Sequence, residues 1–221
     1  TDRRLLVDGR YDFAATDAIR RGSVADVAVE RVDPRYDVTL GAVLGRSGLR
    51  KVGFEAAQVT VATLGAWQRA ADAVEWIPTE RVVEAARAVK DDGEIDTLRR
   101  GGRLIADVAE RLKDIVRQGR TERQVAAAID AAILEAGFSH PAFDTIVAAG
   151  PHSAHPHARP TDRCLAEGDL VVLDFGGVLD GYCVDLTRMA AVGQLAPAAL
   201  ALYSGVRAAH AAAIAAVRPG I

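Results

Sequence analysis

The sequence predicts an α/β (α+β) protein of two domains, one over residues 1–78 and one over residues 79–221. In the first third of the chain, short segments rich in β-branched and aromatic residues alternate with helical patterns, which is typical of α/β architecture. Apolar residues at three- and four-residue steps then indicate a helical region. Two apolar runs that flank Asp180-Gly181 indicate a long hairpin.

The composition is ordinary for a soluble globular protein: half of the 221 residues are hydrophobic and 26% are charged. A net charge of −3 gives no electrostatic basis for binding nucleic acid or an anionic membrane, so we expect neither partner. The two cysteines form no CxxC motif, which argues against a zinc knuckle and favours a reducing, cytoplasmic compartment. Arg207 and His210 interrupt the longest apolar run, so it is not expected to span a membrane.

The N-terminal domain is predicted to alternate strands and helices. The strands are "RRLLVD", "VAVERV", "KVGF" and "VEWI", from their β-branched and aromatic content. Two segments with helical spacing lie between them, one opened by Pro34, which suits a first helical turn, and one by Thr60. The turn-like "IPTE" then marks the predicted domain boundary near residue 78.

The chain is predicted to be helical from Glu80 to Gly137. Gly101-Gly102 weakens the first long helix and indicates either a kink or close packing. Thr121 and Gln124 have the spacing of a capping box, which predicts a new helix start. The apolar stripe comprises Ile95, Leu98, Ile105, Val108, Leu112 and Ile115.

The remainder is predicted as strand, loop, hairpin and helix. "AFDTIVAAG" is the strand and "PHSAHPHARPTDR" the irregular loop. The hairpin is "DLVVLDFGGVLDGYCVDLTR", and the last helix runs from Pro197 to Val217. A two-residue turn at Asp180-Gly181 fixes the hairpin register and hence which side chains share a face.

The predicted register brings two aspartates together. It places Asp174 opposite Thr187 and Asp185 opposite Gly176, all on one face of the hairpin because side chains alternate along a strand. The aspartates are then diagonal neighbours roughly 7 Å apart at the backbone. Glycine at position 176 is expected to leave the space over Asp185 open.

Two interpretations of this pair remain open from the pattern alone. Neighbouring carboxylates in such apolar strands repel unless one takes up a proton or a cation binds them. One divalent cation, or two about 3.5–4 Å apart, would use the geometry, and oxygen ligands with an imidazole suit Mn²⁺, Co²⁺ or Zn²⁺. Alternatively, the aspartates face water, with Asp185 paired to Arg188.

The loop before the hairpin contains His152, His155 and His157, three of the five histidines. Three interpretations stay open: a single catalytic imidazole, a separate metal cluster, or an exposed polar loop. Three prolines stiffen the loop, which favours the positioning of a group. A serine hydrolase is not indicated, because no G-x-S-x-G motif is present, and "GRSG" and "DFGG" match neither a phosphate loop nor a dinucleotide fingerprint.

The segment "FDTIVAAGPHSAHPHARPTDRCLAEGDLVVLDFGGVLDGYCVDLTR" resembles the pita-bread metallopeptidases of the Xaa-Pro aminopeptidase and prolidase type. The similarity extends upstream through "KDDGEIDTLRRGGRLIADVAERL" and "GRTERQVAAAID", and "LLVDGRY" resembles a strand of the family's creatinase-like N-terminal domain. The resemblance implies an incomplete creatinase/prolidase-like domain over residues 1–78 and the N-terminal part of a pita-bread catalytic domain over residues 79–221.

The resemblance also implies a reaction. It makes Asp174 and Asp185 the first two of five ligands to two divalent metal ions, with Mn²⁺ first and Co²⁺ or Zn²⁺ as alternatives, and with Asp185 bridging. A hydroxide between the metals is the expected nucleophile. The expected substrates are short peptides with proline at the second position, and the Xaa-Pro bond is hydrolysed as in an aminopeptidase or a dipeptidase.

Further roles follow from the same likeness. His157 matches the histidine that contacts substrate and stabilises the transition state. Thr187 and Arg188 match a pair that supports the site. His152 and His155 fall where the family has other residues, so no role is carried onto them.

The chain starts on Thr1 without Met and ends at "VRPGI", which predicts a fragment. The family's other ligands, one His and two Glu, lie downstream of the hairpin, so we expect the 221-residue chain alone to be inactive and the full-length protein to be a homodimer. Two alternatives remain: a catalytically silent pita-bread binding module and a creatinase-like hydrolase that needs no metal. Intact Asp174 and Asp185 argue against the second.

Overall fold

The computed structural model describes residues 3–22 and 27–220. The chain divides into two compact units, Thr1–Val89 and Lys90–Ile221. This division lies later than the predicted boundary at residue 78. Pro78 lies inside a strand, where it pairs with Phe54, so "IPTE" is not a turn between domains.

The first unit alternates strands and helices, as predicted. Two parallel pairs form, β1 with β2 and β3 with β4, and each pair is connected through a helix, as parallel neighbours require. The elements are β1 Arg4–Val7, α1 Asp12–Arg20, β2 Ala28–Arg31, α2 Tyr36–Ser47, β3 Lys51–Glu55, α3 Val61–Ala70, β4 Glu75–Thr79 and α4 Val82–Ala88.

Helix starts in this unit differ in whether a side chain caps them. Thr60 caps α3 by accepting a hydrogen bond from the Thr63 amide at 3.1 Å, as predicted. The predicted start at Pro34 is two residues early, because Arg35 is extended and α2 begins at Tyr36. Helix α1 was missed, and Tyr11 before it makes no side-chain cap, so the usual sequence signal for a helix start is absent.

The second unit contains the predicted helices, the hairpin and the last helix. Capping boxes begin α5 at Asp91 and α7 at Thr121, the latter as predicted. The strand in "AFDTIVAAG" is shorter than predicted. The elements are α5 Asp92–Glu110, α6 Leu112–Ile115, α7 Glu122–Glu135, β5 His140–Pro141, β6 Ile146–Ala149, a 3₁₀ helix Gly150–Ala154, β7 Leu170–Leu179, β8 Tyr182–Ala191 and α8 Pro197–Ala216.

Strand β7 is the centre of a four-stranded antiparallel sheet. It pairs with β8 along its whole length, and β5 and β6 share its other edge. One face of the sheet packs on α5 and α7 and buries Val171, Leu173 and Phe175 completely. At Gly101 a β-carbon would lie 2.8 Å from Val184 Cγ1, so this glycine allows α5 to approach β8 closely. Of the two interpretations of Gly101-Gly102, a kink or close packing, close packing is confirmed at Gly101.

Helix α8 begins at Pro197 as predicted and ends at Ala216, one residue before the predicted end at Val217. Among the described residues it is the one helix that is long and apolar enough to cross a membrane, by length and composition only. None of its residues is buried, and Arg207 and His210 lie within it.

Candidate functional site

The β7–β8 hairpin has the predicted register. Asp174 pairs with Thr187 and Gly176 with Asp185. The turn residues Asp180 and Gly181 have φ angles of 49° and 82°, the left-handed conformation that a two-residue hairpin of this kind needs. The hairpin is therefore two-faced, with a buried core face on the helices and a face that carries both aspartates.

The two aspartates interact with each other. The pKa of the Asp185 carboxyl is raised above its ordinary value, first by partial loss of hydration and then by the charge of Asp174 and a hydrogen bond with it. Asp185 retains an exposed surface, so the loss of hydration is incomplete. Asp174 is half-buried, and Thr187 Oγ1 donates to its Oδ1 at 3.1 Å. The arrangement has a negative charge that a proton or a cation would neutralise.

Gly176 has a different role from the predicted open space. A β-carbon there would lie 2.3 Å from the Val184 carbonyl oxygen and 2.9 Å from Phe143 Cε1. The position is thus closely covered by β8 and by the Phe143 ring. Glycine is needed at this position because no side chain fits.

The aspartates and one histidine line the same open cavity of about 380 Å³. The cavity is lined by His157, Asp174 and Asp185, with Phe143, Asp144 and Arg159 among its other walls. An imidazole, three carboxylates, a guanidinium and an aromatic ring can together hold a cation, a polar carbonyl and an apolar group.

Arg188 does not join this cavity. It pairs with buried Leu173, lines a separate cavity of about 550 Å³ beside α8, and donates to the Thr187 carbonyl oxygen at 2.9 Å. The alternative in which Asp185 pairs with Arg188 needs an ion pair between them, and none occurs among residues 3–22 and 27–220. Thr187, by contrast, contacts Asp174 directly.

The donor set suits a divalent cation in part. Asp174 and Asp185 offer carboxylate oxygens, which hard and borderline divalent ions prefer. In the described part of the chain no group of three or more His, Cys, Asp or Glu side chains could hold a metal ion. The two carboxylates are therefore an incomplete ligand set. For the same reason the separate histidine metal cluster finds no support among the described residues.

The histidine loop packs on a residue of α7 that sequence reasoning missed. Glu122, in the first turn of α7, has 0% relative exposure and accepts hydrogen bonds from the loop on both sides. Burial raises its pKa, but hydrogen bonds from Thr161, the Ala149 amide and His152 together outweigh burial and lower it. The only sequence signal here was the capping box around it, which does not distinguish a buried Glu from an exposed one.

A second buried carboxylate holds the end of the loop. Asp169 accepts two hydrogen bonds from the Arg163 guanidinium, at 2.6 and 2.8 Å, and one from the Ala166 amide at 2.8 Å. The hydrogen bonds from Arg163 are the main reason that the pKa of Asp169 is lowered.

This pair predicts a pH dependence of stability. A carboxylate with a lowered pKa stabilises the fold above its ordinary pKa of about 3.9, and that stabilisation is lost as the pH falls through the lowered pKa. Asp169→Asn is expected to cost about 1.5–3 kcal/mol in the free energy of unfolding at pH 7. Urea unfolding at pH 7 and near pH 3 checks it: the difference between wild type and variant should shrink at the lower pH. An unchanged difference would contradict the assignment.

The chain is similar to known proteins in both sequence and fold. Residues 96–221 match the model of metallopeptidase family M24, and residues 1–89 match that of the creatinase/prolidase N-terminal domain. The chain is 42% identical over 154 residues to a probable dipeptidase, PepE, of Mycobacterium bovis, covering 68% of this chain and 41% of that protein. It is 32% identical over 174 residues to an uncharacterized peptidase, YqhT, of Bacillus subtilis, covering 79% and 49%.

Solved structures with a similar fold include enzymes of the same kind. The Xaa-Pro dipeptidase from Bacillus anthracis matches with a TM-score of 0.83 and 29% identity over 90% of this chain and 54% of that one. The prolidase from Pyrococcus horikoshii matches with a TM-score of 0.87 and 26% identity over 99% and 60%. The chain spans about half the length of the relatives it matches. The predicted fold class is confirmed, and because the M24 model covers more than half of the chain, this chain belongs to metallopeptidase family M24, with a creatinase/prolidase N-terminal domain.

Proposed function

We propose that this chain supplies part of the active site of an Xaa-Pro exopeptidase, an aminopeptidase or a dipeptidase that hydrolyses the bond between an N-terminal residue and proline. The observation that supports it is that His157, Asp174 and Asp185 line one cavity in a chain of a metallopeptidase family. Names of relatives support a peptidase acting on short peptides, since they include a probable dipeptidase and an Xaa-Pro dipeptidase.

In this proposal Asp174 and Asp185 hold divalent metal ions, Mn²⁺ first, with Co²⁺ or Zn²⁺ as alternatives. When bound, the metals would supply an activated water and stabilise negative charge on the substrate carbonyl oxygen. Thr187 orients Asp174 through its hydroxyl hydrogen bond. The raised pKa of Asp185 reflects a site that a cation would stabilise by neutralising the pair.

The other cavity residues would bind and orient the peptide. His157 can donate a ring N–H to the carbonyl oxygen on which charge develops, and this hydrogen bond would strengthen in the transition state. Phe143 and Ile146 provide apolar walls against which a proline ring can pack. Proline's tertiary amide has no N–H to donate, so a site that makes no hydrogen bond to that nitrogen loses nothing by accepting it.

The proposal is tested with peptides. The uninterrupted parent protein and the 221-residue chain are each given Ala-Pro, Ala-Pro-Ala and Ala-Ala, with Mn²⁺ or with chelator, and free alanine is measured. We expect chelator-sensitive cleavage of a proline peptide by the parent protein and none by the 221-residue chain. Cleavage of the tripeptide indicates an aminopeptidase, and cleavage of the dipeptide alone a dipeptidase. If the parent protein binds Mn²⁺ but cleaves neither proline peptide, proline specificity is refuted. If it neither binds Mn²⁺ nor cleaves a peptide, a silent binding module is favoured.

Location and assembly belong to the same proposal. Cys164 and Cys183 are free thiols, which agrees with a reducing, cytoplasmic compartment. A homodimer of the full-length protein rests on the family resemblance alone. Light scattering on the parent protein measures the assembly directly, and a monomer would contradict it.

A further inference from the structure

The histidine loop, residues 150–163, depends on its ends for its position. His157 lies in a turn in which the Ala158 amide donates to the His155 carbonyl at 3.2 Å. Within the described residues, the His157 imidazole has no hydrogen-bond partner. The prolines at 156 and 160 restrict the backbone on both sides of it. What fixes the two ends of the loop therefore fixes where His157 lies in the cavity.

One buried carboxylate joins both ends. Glu122 Oε1 accepts from the Ala149 amide at 2.9 Å and from His152 Nδ1 at 3.0 Å, which are on the first limb. Its Oε2 accepts from the Thr161 amide at 3.0 Å and from Thr161 Oγ1 at 2.6 Å, which are on the second limb. A carboxylate has about four lone-pair sites, and these four donors occupy them.

The contacts of Glu122 with His152 also indicate which ring nitrogen of His152 carries a hydrogen. Because both oxygens of an ionised carboxylate are acceptors, the Nδ1 of His152 carries the hydrogen in this contact. Removing one acceptor would leave a buried donor unpaired, which costs more than the hydrogen bond itself contributes. The loop is thus closed at Glu122 in a way that a neutral amide could not reproduce.

Neighbouring contacts attach the second limb to the start of α7. The Glu122 amide donates to the Arg163 carbonyl at 3.0 Å, and the Arg123 amide donates to the Thr161 carbonyl at 3.1 Å. The first limb is confined at Gly150, where φ is +53° and a β-carbon would lie 2.4 Å from Asp169 Oδ1. The start of α7 therefore holds the second limb directly, and the Glu122 carboxylate joins it to the first.

We propose that Glu122 is a positioning residue for the candidate active site: by closing the histidine loop it sets His157 toward the Asp174–Asp185 pair. The role rests on the proposed function insofar as His157 acts beside a bound metal. The hydrogen-bonded closure itself does not rest on it. Among the described residues Glu122 is not part of the cavity lining, and its side chain hydrogen-bonds Ala149, His152 and Thr161 rather than either aspartate, so it acts through the loop.

The test compares Glu122→Gln with Glu135→Gln, a control on the same helix whose carboxylate forms only a surface ion pair with Arg111. Hydrogen exchange of the 221-residue chain reports loop closure through the amides of Ala149 and Thr161. Broadening of the His157 ring signals by substoichiometric Mn²⁺ in NMR spectra reports the approach of the imidazole to the metal. We expect Glu122→Gln to speed exchange of the two amides about tenfold or more and to reduce the broadening of His157.

The broadening at residues beside Asp174 and Asp185 should persist in Glu122→Gln, which separates misplacement of His157 from loss of the metal. Unchanged exchange and unchanged His157 broadening in this variant would overturn the proposal. If Mn²⁺ broadens no signal in the wild-type chain, the proposed metal site has failed, and hydrogen exchange still decides whether Glu122 closes the loop.

A milder pair of variants covers the case in which Glu122→Gln does not fold. Thr161→Val removes the hydroxyl that donates to Glu122 at 2.6 Å and keeps the side-chain shape, whereas Thr161→Ser keeps the hydroxyl. We expect faster exchange and weaker His157 broadening in Thr161→Val, with both restored in Thr161→Ser. Equal behaviour of the two variants would contradict the proposed closure.

Discussion

Asp185→Asn is expected to make the metal-free chain more stable and to remove most of its stabilisation by Mn²⁺. In the wild type Asp185 and Asp174 are like charges at diagonal positions on neighbouring strands, and such a pair is destabilising. Replacing the Asp185 carboxylate by an amide removes the repulsion with Asp174 and also one carboxylate ligand of the proposed metal site. Losing an outer-shell partner already weakens metal sites 10–100-fold, so we expect at least about 100-fold weaker Mn²⁺ binding.

Thermal unfolding with and without Mn²⁺ checks this prediction. At a Mn²⁺ concentration 100 times the wild-type dissociation constant, the wild type should gain about 2.7 kcal/mol, and a variant that binds 100-fold more weakly at most about 0.4 kcal/mol. Asp114→Asn is the control, because Asp114 is exposed and forms only a surface pair with Arg117 at 3.7 Å. If Asp185→Asn destabilises the metal-free chain, the two carboxylates do not repel as described.

Phe175→Ala is expected to have the opposite pattern, a large loss of stability with Mn²⁺ binding retained. Phe175 lies between Asp174 and Gly176 in β7, but its side chain is on the core face and has 0% relative exposure. Truncating a buried Phe to Ala costs about 3–5 kcal/mol, through lost burial and the cavity left behind. Urea unfolding measures the cost, and a Mn²⁺ titration below the unfolding transition measures the site.

The matched control is Leu134→Ala on α7, where the side chain is 51% exposed. It should change stability by no more than about 0.5 kcal/mol, because little burial is lost and Ala favours helix. Loss of Mn²⁺ binding in folded Phe175→Ala would mean that the two faces of the hairpin are not independent. Together with Asp185→Asn, the variant separates the residues that hold the fold from those proposed to carry the chemistry.

Local chemistry made much of this fold predictable. The Asp180-Gly181 turn determined the register of the hairpin, and with it the pairing of Asp174 with Thr187. Thr121 and Thr60 marked their helices because their hydroxyls cap them. These features depend on residues within a few positions of each other, which is the range over which a sequence pattern is informative.

What escaped prediction depends on contacts between distant segments. Glu122 is buried only because the Thr161 and Ala149 segments close over it, and nothing adjacent in the sequence signals that. Phe143 covers Gly176 from another part of the chain, so the space predicted there is filled. Pro78 lies in β4 and pairs with Phe54, so the segment that was predicted as a turn between domains is part of a strand. The two compact units divide later, between Val89 and Lys90. The roles of His157, Asp174 and Asp185 stay predictions drawn from the family resemblance.

Whether the Asp174–Asp185 pair holds metal beside His157 is tested most directly by an anomalous diffraction map of the uninterrupted parent protein crystallised with Mn²⁺. We expect a manganese peak between the two carboxylates, within ligand distance of both and facing the cavity that His157 lines. The same peak should be missing in Asp185→Asn. Manganese bound at another place, or no peak at saturating Mn²⁺, would contradict the claim.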